Sequence, residues 1–360
     1  MSVNPSSLPA GDPPWLDASG PISGLIISTR VRLARNLAAR PFWGHNSPLD
    51  REGVVRLVEA AAAESSGLAA ATLLRVDGLP RSERRWLHEG QLISRELAGL
   101  DAAGRVRSGA ALLLAPNASV MLNEEDHLRI QAFRSGFALA AAHADAALVA
   151  AELGGRLSFA FHPEFGYLTS CPTNVGTGLR ASVLIHLPAL VLTREVGKVL
   201  HGLAQVGLTD RGLFGEGSEV LGNLFQLSNQ TTLGKSESEL LEHLGGLVRQ
   251  VVEYEERARA VLWRDAPTAL EDQVWRAWAV LSHARSLGFE ETVNLLGGVR
   301  LGIGMGILSG VAVSTLNRLL VLAQPAHVAR DAGIGLEDEA LPVHRASMVR
   351  RLLAEKEGSG

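Results

Sequence analysis

From Leu25 to Arg35 the chain reads LIISTRVRLAR, an apolar β-branched start that passes into alternation and turns basic at Arg30, Arg32 and Arg35. Residues two apart share a face of a strand, so the segment predicts a strand carrying alternate arginines on one side. Ser47, Pro48 and Asp50 form a capping-box-like start with proline in the first turn, and the apolar spacing behind them predicts a helix to about Ser65. A second helix is predicted over SERRWLHEGQLISRELAGL (82–100), and buried strands over GAALLLAP and SVMLN, each stopped by Pro or Asn. The alanine-rich FALAAAHADAALVAAELGG, ended by Gly-Gly, predicts a further helix. RLSFAF, HPEFG and YLTS then read as strand, turn and strand, and ASVLIHL continues the sheet. This block predicts an α+β unit, an antiparallel β-sheet with helices on one face.

From Ser236 the period changes from two to 3.6. Ser236 and Glu239 stand at capping-box spacing, and helical patterning follows there and again after Thr268, Gly288, Ser309 and Gly335. The expected division is a disordered Pro/Ser/Gly lead over 1–20, a catalytic α+β domain over 21–235 and an all-α domain over 236–360. The apolar run VRLGIGMGILSGVAVSTL is punctuated by glycines and reads as a buried helix pair rather than a membrane span.

Composition narrows the function. With 360 residues and 46% hydrophobic content the chain can bury more than one core. Its net charge is −4 with both signs interspersed, which excludes a surface built to neutralise nucleic-acid phosphates, so anion binding has to be local. A single cysteine, no Cys/His cluster and no signal-peptide pattern fit a cytoplasmic protein without a resident metal.

Four segments combine charge with sharp backbone punctuation: STRVRLARN (28–36), NEEDHLRIQ (123–131), TSCPTNVGTGLRAS (169–182) and TDRGLFGEGSE (209–219). Taken singly, Arg30, Arg32, Arg129, Arg180 and Arg211 read as surface ion pairs. Gathered in one cavity they would repel one another unless a polyanion lay between them, and a nucleoside triphosphate with Mg²⁺ is the obvious one. No Walker loop is available for it: in LGKSES the glycine required five positions before Gly234 is Asn229. Gly176 and Gly178 fit either amides approaching an oxyanion or a turn between strands.

In this order the four segments resemble the catalytic domain of the phosphagen (ATP:guanido) phosphotransferases, most nearly the bacterial protein-arginine kinases of the McsB type. NQTTLGKSESELLEHL and the helical tail extend the resemblance over most of the chain. It implies a glutamine synthetase/guanido kinase-like sheet, ATP and Mg²⁺ as cofactors, and the five arginines on the phosphates. The nucleotide site would be lined by Ser28, Thr29, Arg30, Val31 and Arg32, by Arg180, Ala181, Ser182, Val183 and Leu184, and by Arg211, Gly212, Leu213, Phe214, Gly215 and Glu216. Glu125 and Glu216 would clamp the guanidinium and take its proton, since a delocalised guanidinium is a poor nucleophile without such help. Cys171 beside the arginines would serve as a negative sulfur that steers the guanidinium, whereas without its SCPTN context a lone cysteine reads as an inert buried residue.

Creatine- and arginine-type phosphagen kinases carry a small helical domain ahead of these motifs, and here the motifs begin at Ser28, which leaves a site open to an arginine on a protein. The resemblance therefore implies a protein-arginine kinase acting in stress response, with exposed-arginine proteins as substrates and an activator, a Clp-type protease or a transcriptional repressor as partners. A kinase of a free guanidino metabolite and a weakly catalytic binding module are the alternatives. Two stretches depart from the family: Gln91 stands where a histidine precedes LIS, and in LPVHRA the phosphoarginine-sensing Arg-Asp-x-x-Arg-Ala run keeps Arg345 and Ala346 but not its leading pair. Arg345 can be assigned to that allosteric role or to an ordinary helix surface. The apolar C-terminal helices leave both a homodimer interface and an intradomain core open.

Overall fold

The alternating segment after Leu25 forms β1 (Ile26–Arg35), which lies inside a wholly antiparallel sheet and organises the fold around it. A computed structural model describes residues 12–102, 104–212 and 220–355. In chain order β1 is followed by α1 (Pro48–Ala63), β2 (Thr72–Arg75), α2 (Arg81–Glu89), β3 (Ala111–Leu114), β4 (Ala118–Leu122), β5 (Leu128–Ser135) and α3 (Leu139–Gly154). Then come the two-residue strands β6 (Phe161–His162) and β7 (Gly166–Tyr167), β8 (Leu179–His186), α4 (Pro188–Leu192), α5 (Val196–Gln205), β9 (Leu208–Gly212) and β10 (Leu224–Asn229). The remainder is helical: α6 (Glu237–Asp265), α7 (Pro267–His283), α8 (Phe289–Gly304), α9 (Val313–Leu322), α10 (Pro325–Ala332) and α11 (Leu341–Ala354).

Among the described residues eight strands pair in the order β2-β3-β4-β5-β1-β8-β10-β9. The period-two rule then sorts side chains. Val31, Leu33, Ile130, Ala181, Val183 and Leu227 face one way and are fully buried beneath α1, α3 and α6. Each such valine, leucine or isoleucine contributes roughly 1.5–3 kcal/mol by leaving water. The opposite parity carries the polar and basic residues.

Both capping boxes form. Ser47 and Asp50 start α1, and Ser236 and Glu239 start α6, each pair exchanging side-chain and backbone hydrogen bonds. The face of α6 through Leu240, Leu244, Val248 and Val251 packs into the core beneath the sheet, while α7 to α11 enclose a second core. The helical region after Ser236 thus divides between two cores.

Three expectations are corrected. The second helix stops at Glu89, because Gln91 takes a positive φ of 62° and the chain turns. RLSFAF and YLTS contribute to β6 and β7, a separate two-stranded sheet, and to isolated bridges of Phe159 with Leu37 and Tyr167 with Gly176. Helices of the α+β block do not keep to one face: α2 packs through Leu87 against Leu112 and Met121, which lie on the side of the sheet that carries Arg129. Among the described residues no helix is long and apolar enough to cross a membrane.

Candidate active site

Alternation on β1 puts Arg30 and Arg32 on the face away from the first core, and register brings the other arginines to them. Arg32 lies opposite Arg180 on β8, Ala34 opposite Arg129 on β5, and Arg211 of β9 is reached across Gln226 of β10. All five arginines line one cleft of about 670 Å³. Arg35 has the other parity and a structural part: it lies 3.6 Å from the Tyr167 ring centroid, donates to Ala34 and Thr177 carbonyls and pairs with Glu237.

Like charges placed opposite each other across a ladder, out of water, are costly. Burial first, and then Arg180, Arg129 and Arg211, push the Arg30 pKa down to about 10. Arg32 is held well below the ordinary arginine value by burial and by Arg30, Arg129 and Arg180, with Glu124 as a partial counterweight. The Nε atoms of Arg30 and Arg32 are buried without a hydrogen-bond partner among the described residues. Such a floor suits a ligand with several negative oxygens, which would restore charge balance and supply the missing acceptors.

The acidic rim is built by the turn after β4. Arg129 donates from Nη1 to Glu124 (2.7 Å) and from Nη2 to Glu125 (3.2 Å). Glu124 and Asp126 are buried, so neither is the solvated neighbour that a charge run suggests. Asp126 Oδ1 accepts from Asn36 Nδ2 and from the Ser170 amide, both at 2.7 Å. That carboxylate ties the end of β1 to the loop bearing Cys171, and Glu125 and Cys171 face the same cleft. Burial raises the Glu125 pKa, Arg129 opposes that, Asp126 and Glu124 reinforce it, and a hydrogen bond with Cys171 opposes it again. The Cys171 thiol also lies 3.0 Å from the Thr173 hydroxyl.

The glycine turn is explained by crowding against protein backbone. Gly176 has φ 112° and Gly178 φ 63°, and an added Cβ would come within 2.3 Å of the Thr232 carbonyl oxygen and 2.6 Å of that of Ala34. The Gly176 amide donates to Tyr167 at 3.2 Å, which favours the strand-connecting explanation over an oxyanion cradle.

Not every expected residue reaches the cleft. Val31, Ala181 and Val183 point into the first core, and the Thr29 hydroxyl donates to the Gly136 carbonyl. Ser28, Ser182 and Leu184 share instead a narrow slot with Arg30 and Gln226. Gly212 closes β9, while Leu213, Phe214, Gly215 and Glu216 lie outside the described residues. Arg345 is buried between helices, donating to the Ala323 (2.7 Å) and Leu287 (2.8 Å) carbonyls, which corrects its reading as a surface residue. Trp43, Arg107, Gln131 and Gln324 also line the cleft and were missed. Of these only Gln131 carried a signal, standing two residues after Arg129 on the same strand.

Residues 53–258 match the family model for the ATP:guanido phosphotransferase C-terminal catalytic domain, and residues 267–359 match that for the protein-arginine kinase McsB C-terminal domain. The chain belongs to the ATP:guanido phosphotransferase family. Relatives named protein-arginine kinase include those of Bacillus licheniformis (42% identical, 96% of this chain and 94% of the relative) and Moorella thermoacetica (45%, 94% and 97%). Among solved structures the fold resembles a lombricine kinase at TM-score 0.57 and 25% identity, covering 71% of this chain and 73% of that one. It also resembles the substrate-free duplicated taurocyamine kinase of Schistosoma mansoni at TM-score 0.58 and 28% identity, covering 75% and 39%. Membership in this guanido phosphotransferase family accounts for an α+β antiparallel sheet followed by helices.

Proposed function

We propose that this protein is a protein-arginine kinase, transferring the γ-phosphoryl group of ATP to the guanidinium of an arginine side chain in a protein. The carrying observation is that Arg30, Arg32, Arg129, Arg180 and Arg211, from four strands, line one cleft with Glu125 and Cys171. Near full-length relatives of that name support the substrate class. The two matched domains support a protein acceptor over a metabolite.

In this reading the arginine floor binds the phosphate chain. Mg²⁺ arrives with the nucleotide as part of the substrate. Glu125 orients the target guanidinium in line with the γ-phosphorus. As the N–P bond forms, the bond from the γ-phosphorus to the β,γ-bridging oxygen breaks, ADP leaves with the electron pair, and the Glu125 carboxylate receives the guanidinium proton. The raised Glu125 pKa suits a group that must hold that proton. The fixed arginines stabilise the charge that spreads over the equatorial oxygens. Glu216 would complete the clamp, and the Cys171 sulfur would stabilise the cationic acceptor. Arg345 has no part in the transfer itself, and two of its five N–H donors are on backbone carbonyls.

A kinase of a free guanidino compound is the second reading, favoured by the likeness to lombricine and taurocyamine kinases. Incubation with ATP, Mg²⁺ and either casein or free L-arginine, followed by mass spectrometry for acid-labile phosphate, separates them. Phosphoarginine on casein supports the protein acceptor. Transfer to free arginine alone overturns it.

A further inference from the structure

A free guanidino metabolite enters such a cleft whole, whereas an arginine on a protein leaves its backbone outside, where the flanking residues must meet the rim. Trp43 stands on that rim. It lines the cleft with Glu125 and Cys171 and is 51% exposed.

Its position is built rather than incidental. The loop Pro41–Phe42–Trp43 is pinned to His127, which directly follows the acidic turn. His127 Nε2 lies 3.1 Å from the Pro41 carbonyl oxygen, and the Phe42 ring meets the His127 ring edge-on with centroids 5.9 Å apart. On the other side the Arg107 guanidinium sits 5.0 Å from the Trp43 ring centroid and donates through Nη1 to the Glu124 carbonyl. Two independent contacts thus lock the indole to the same turn that presents Glu125.

We infer that Trp43, held by Arg107, is the platform on which the polypeptide flanking the target arginine rests, a specificity-determining contact for a protein acceptor. An indole fits that task. Its apolar face accepts side chains of many kinds and loses little entropy on binding, as suits an enzyme whose targets differ in sequence. Arg107 covers part of the ring, so the neighbouring residue meets the remainder of the face, and the target guanidinium passes beyond it to Glu125.

The inference rests on the protein-kinase reading, and one comparison tests the two separately. Wild type, Trp43→Ala and Trp43→Phe are assayed with casein as acceptor at saturating MgATP, with the affinity for a fluorescent ADP analogue measured for each. Trp43→Ala should raise KM for casein about tenfold, the scale of one interface anchor, with Trp43→Phe recovering most of the loss. ADP-analogue affinity should stay within twofold, and casein should change the tryptophan emission of wild type more than that of Trp43→Phe. A casein KM for Trp43→Ala within twofold of wild type overturns the platform while leaving the kinase reading intact. Wild type that phosphorylates free arginine and never casein overturns the kinase reading and the platform with it.

Discussion

Arg32 and Arg180 stand directly opposite each other on neighbouring antiparallel strands, two guanidinium groups in register on the floor of one cleft. Cross-strand partners of like charge destabilise a sheet, and the half-buried Arg32 in addition has a buried Nε without a partner among the described residues. The fold tolerates this arrangement for its ligand. Replacing Arg32 with Met should therefore raise the melting temperature of the nucleotide-free protein, by a gain of about 1–3 kcal/mol, while ADP no longer stabilises the variant. Thermal unfolding with and without MgADP measures both; a variant less stable than wild type in the absence of nucleotide would contradict the account.

Glu125→Gln keeps the shape of the side chain and removes its capacity to take a proton. The rate constant for transfer should fall by about 10²–10⁴-fold, with MgADP affinity within a few-fold of wild type. In wild type the group must be ionised to act. Because its folded pKa lies above the ordinary 4.5, activity should fall with decreasing pH along a limb centred above 4.5. A pH profile of kcat/KM between 4 and 8 would show it, and a limb below the ordinary carboxylate value would remove Glu125 from the role.

His186 is fully buried with both ring nitrogens unpartnered among the described residues, and burial, helped by Arg300 and Arg259, holds its pKa well below the ordinary histidine value. The folded state therefore keeps it neutral where the unfolded chain protonates. Stability is unaffected by this group above about pH 6.5 and declines as pH falls below it, by up to about 1.4 kcal/mol per pH unit until the folded pKa is reached. Urea unfolding of His186→Leu should show a shallower loss between pH 6.5 and 5 than wild type, and parallel curves would refute the assignment.

Glu89 ties the end of α2 to the start of α10 beside the cleft. Its carboxylate accepts from the Ala326 amide (2.8 Å) and the His327 amide (3.4 Å) at the start of α10, and its carbonyl accepts from Gln324 (3.0 Å). Glu89→Ala leaves those buried donors unmet and should destabilise the protein by about 1–3 kcal/mol. Since Gln91, two residues on, and Gln324 both line the cleft, MgADP affinity should fall as well. Calorimetric titration with MgADP and thermal unfolding of this variant test the coupling; unchanged affinity would confine Glu89 to stability.

Much of the architecture was legible because it is written in local signals. The alternation in β1, the stops after β3 and β4, the capping boxes of α1 and α6 and the Gly-Gly end of α3 each depend on a few adjacent residues. The misreadings arose where tertiary contacts outweighed the local pattern. The helix expected over 82–100 ends early because Gln91 turns the chain, its carbonyl accepting from Gln131 at 3.0 Å. Trp43 and Arg107 gave no signal, being loop residues far apart in sequence that meet through a direct ring contact and through links to Glu124 and His127.

The sequence alone determined which residues have opposite faces: strand parity separates Arg30 and Arg32 from Val31 and Leu33 whatever the neighbours are. It also carried the four segments by which the family can be named. Only the tertiary structure decided that β5, β8 and β9 deliver Arg129, Arg180 and Arg211 to the same face, and that Arg345 and Arg35 are spent on carbonyls and an aromatic ring. Register is fixed by long-range ladder pairing and by burial of the opposite face, and neither is encoded in any window of adjacent residues.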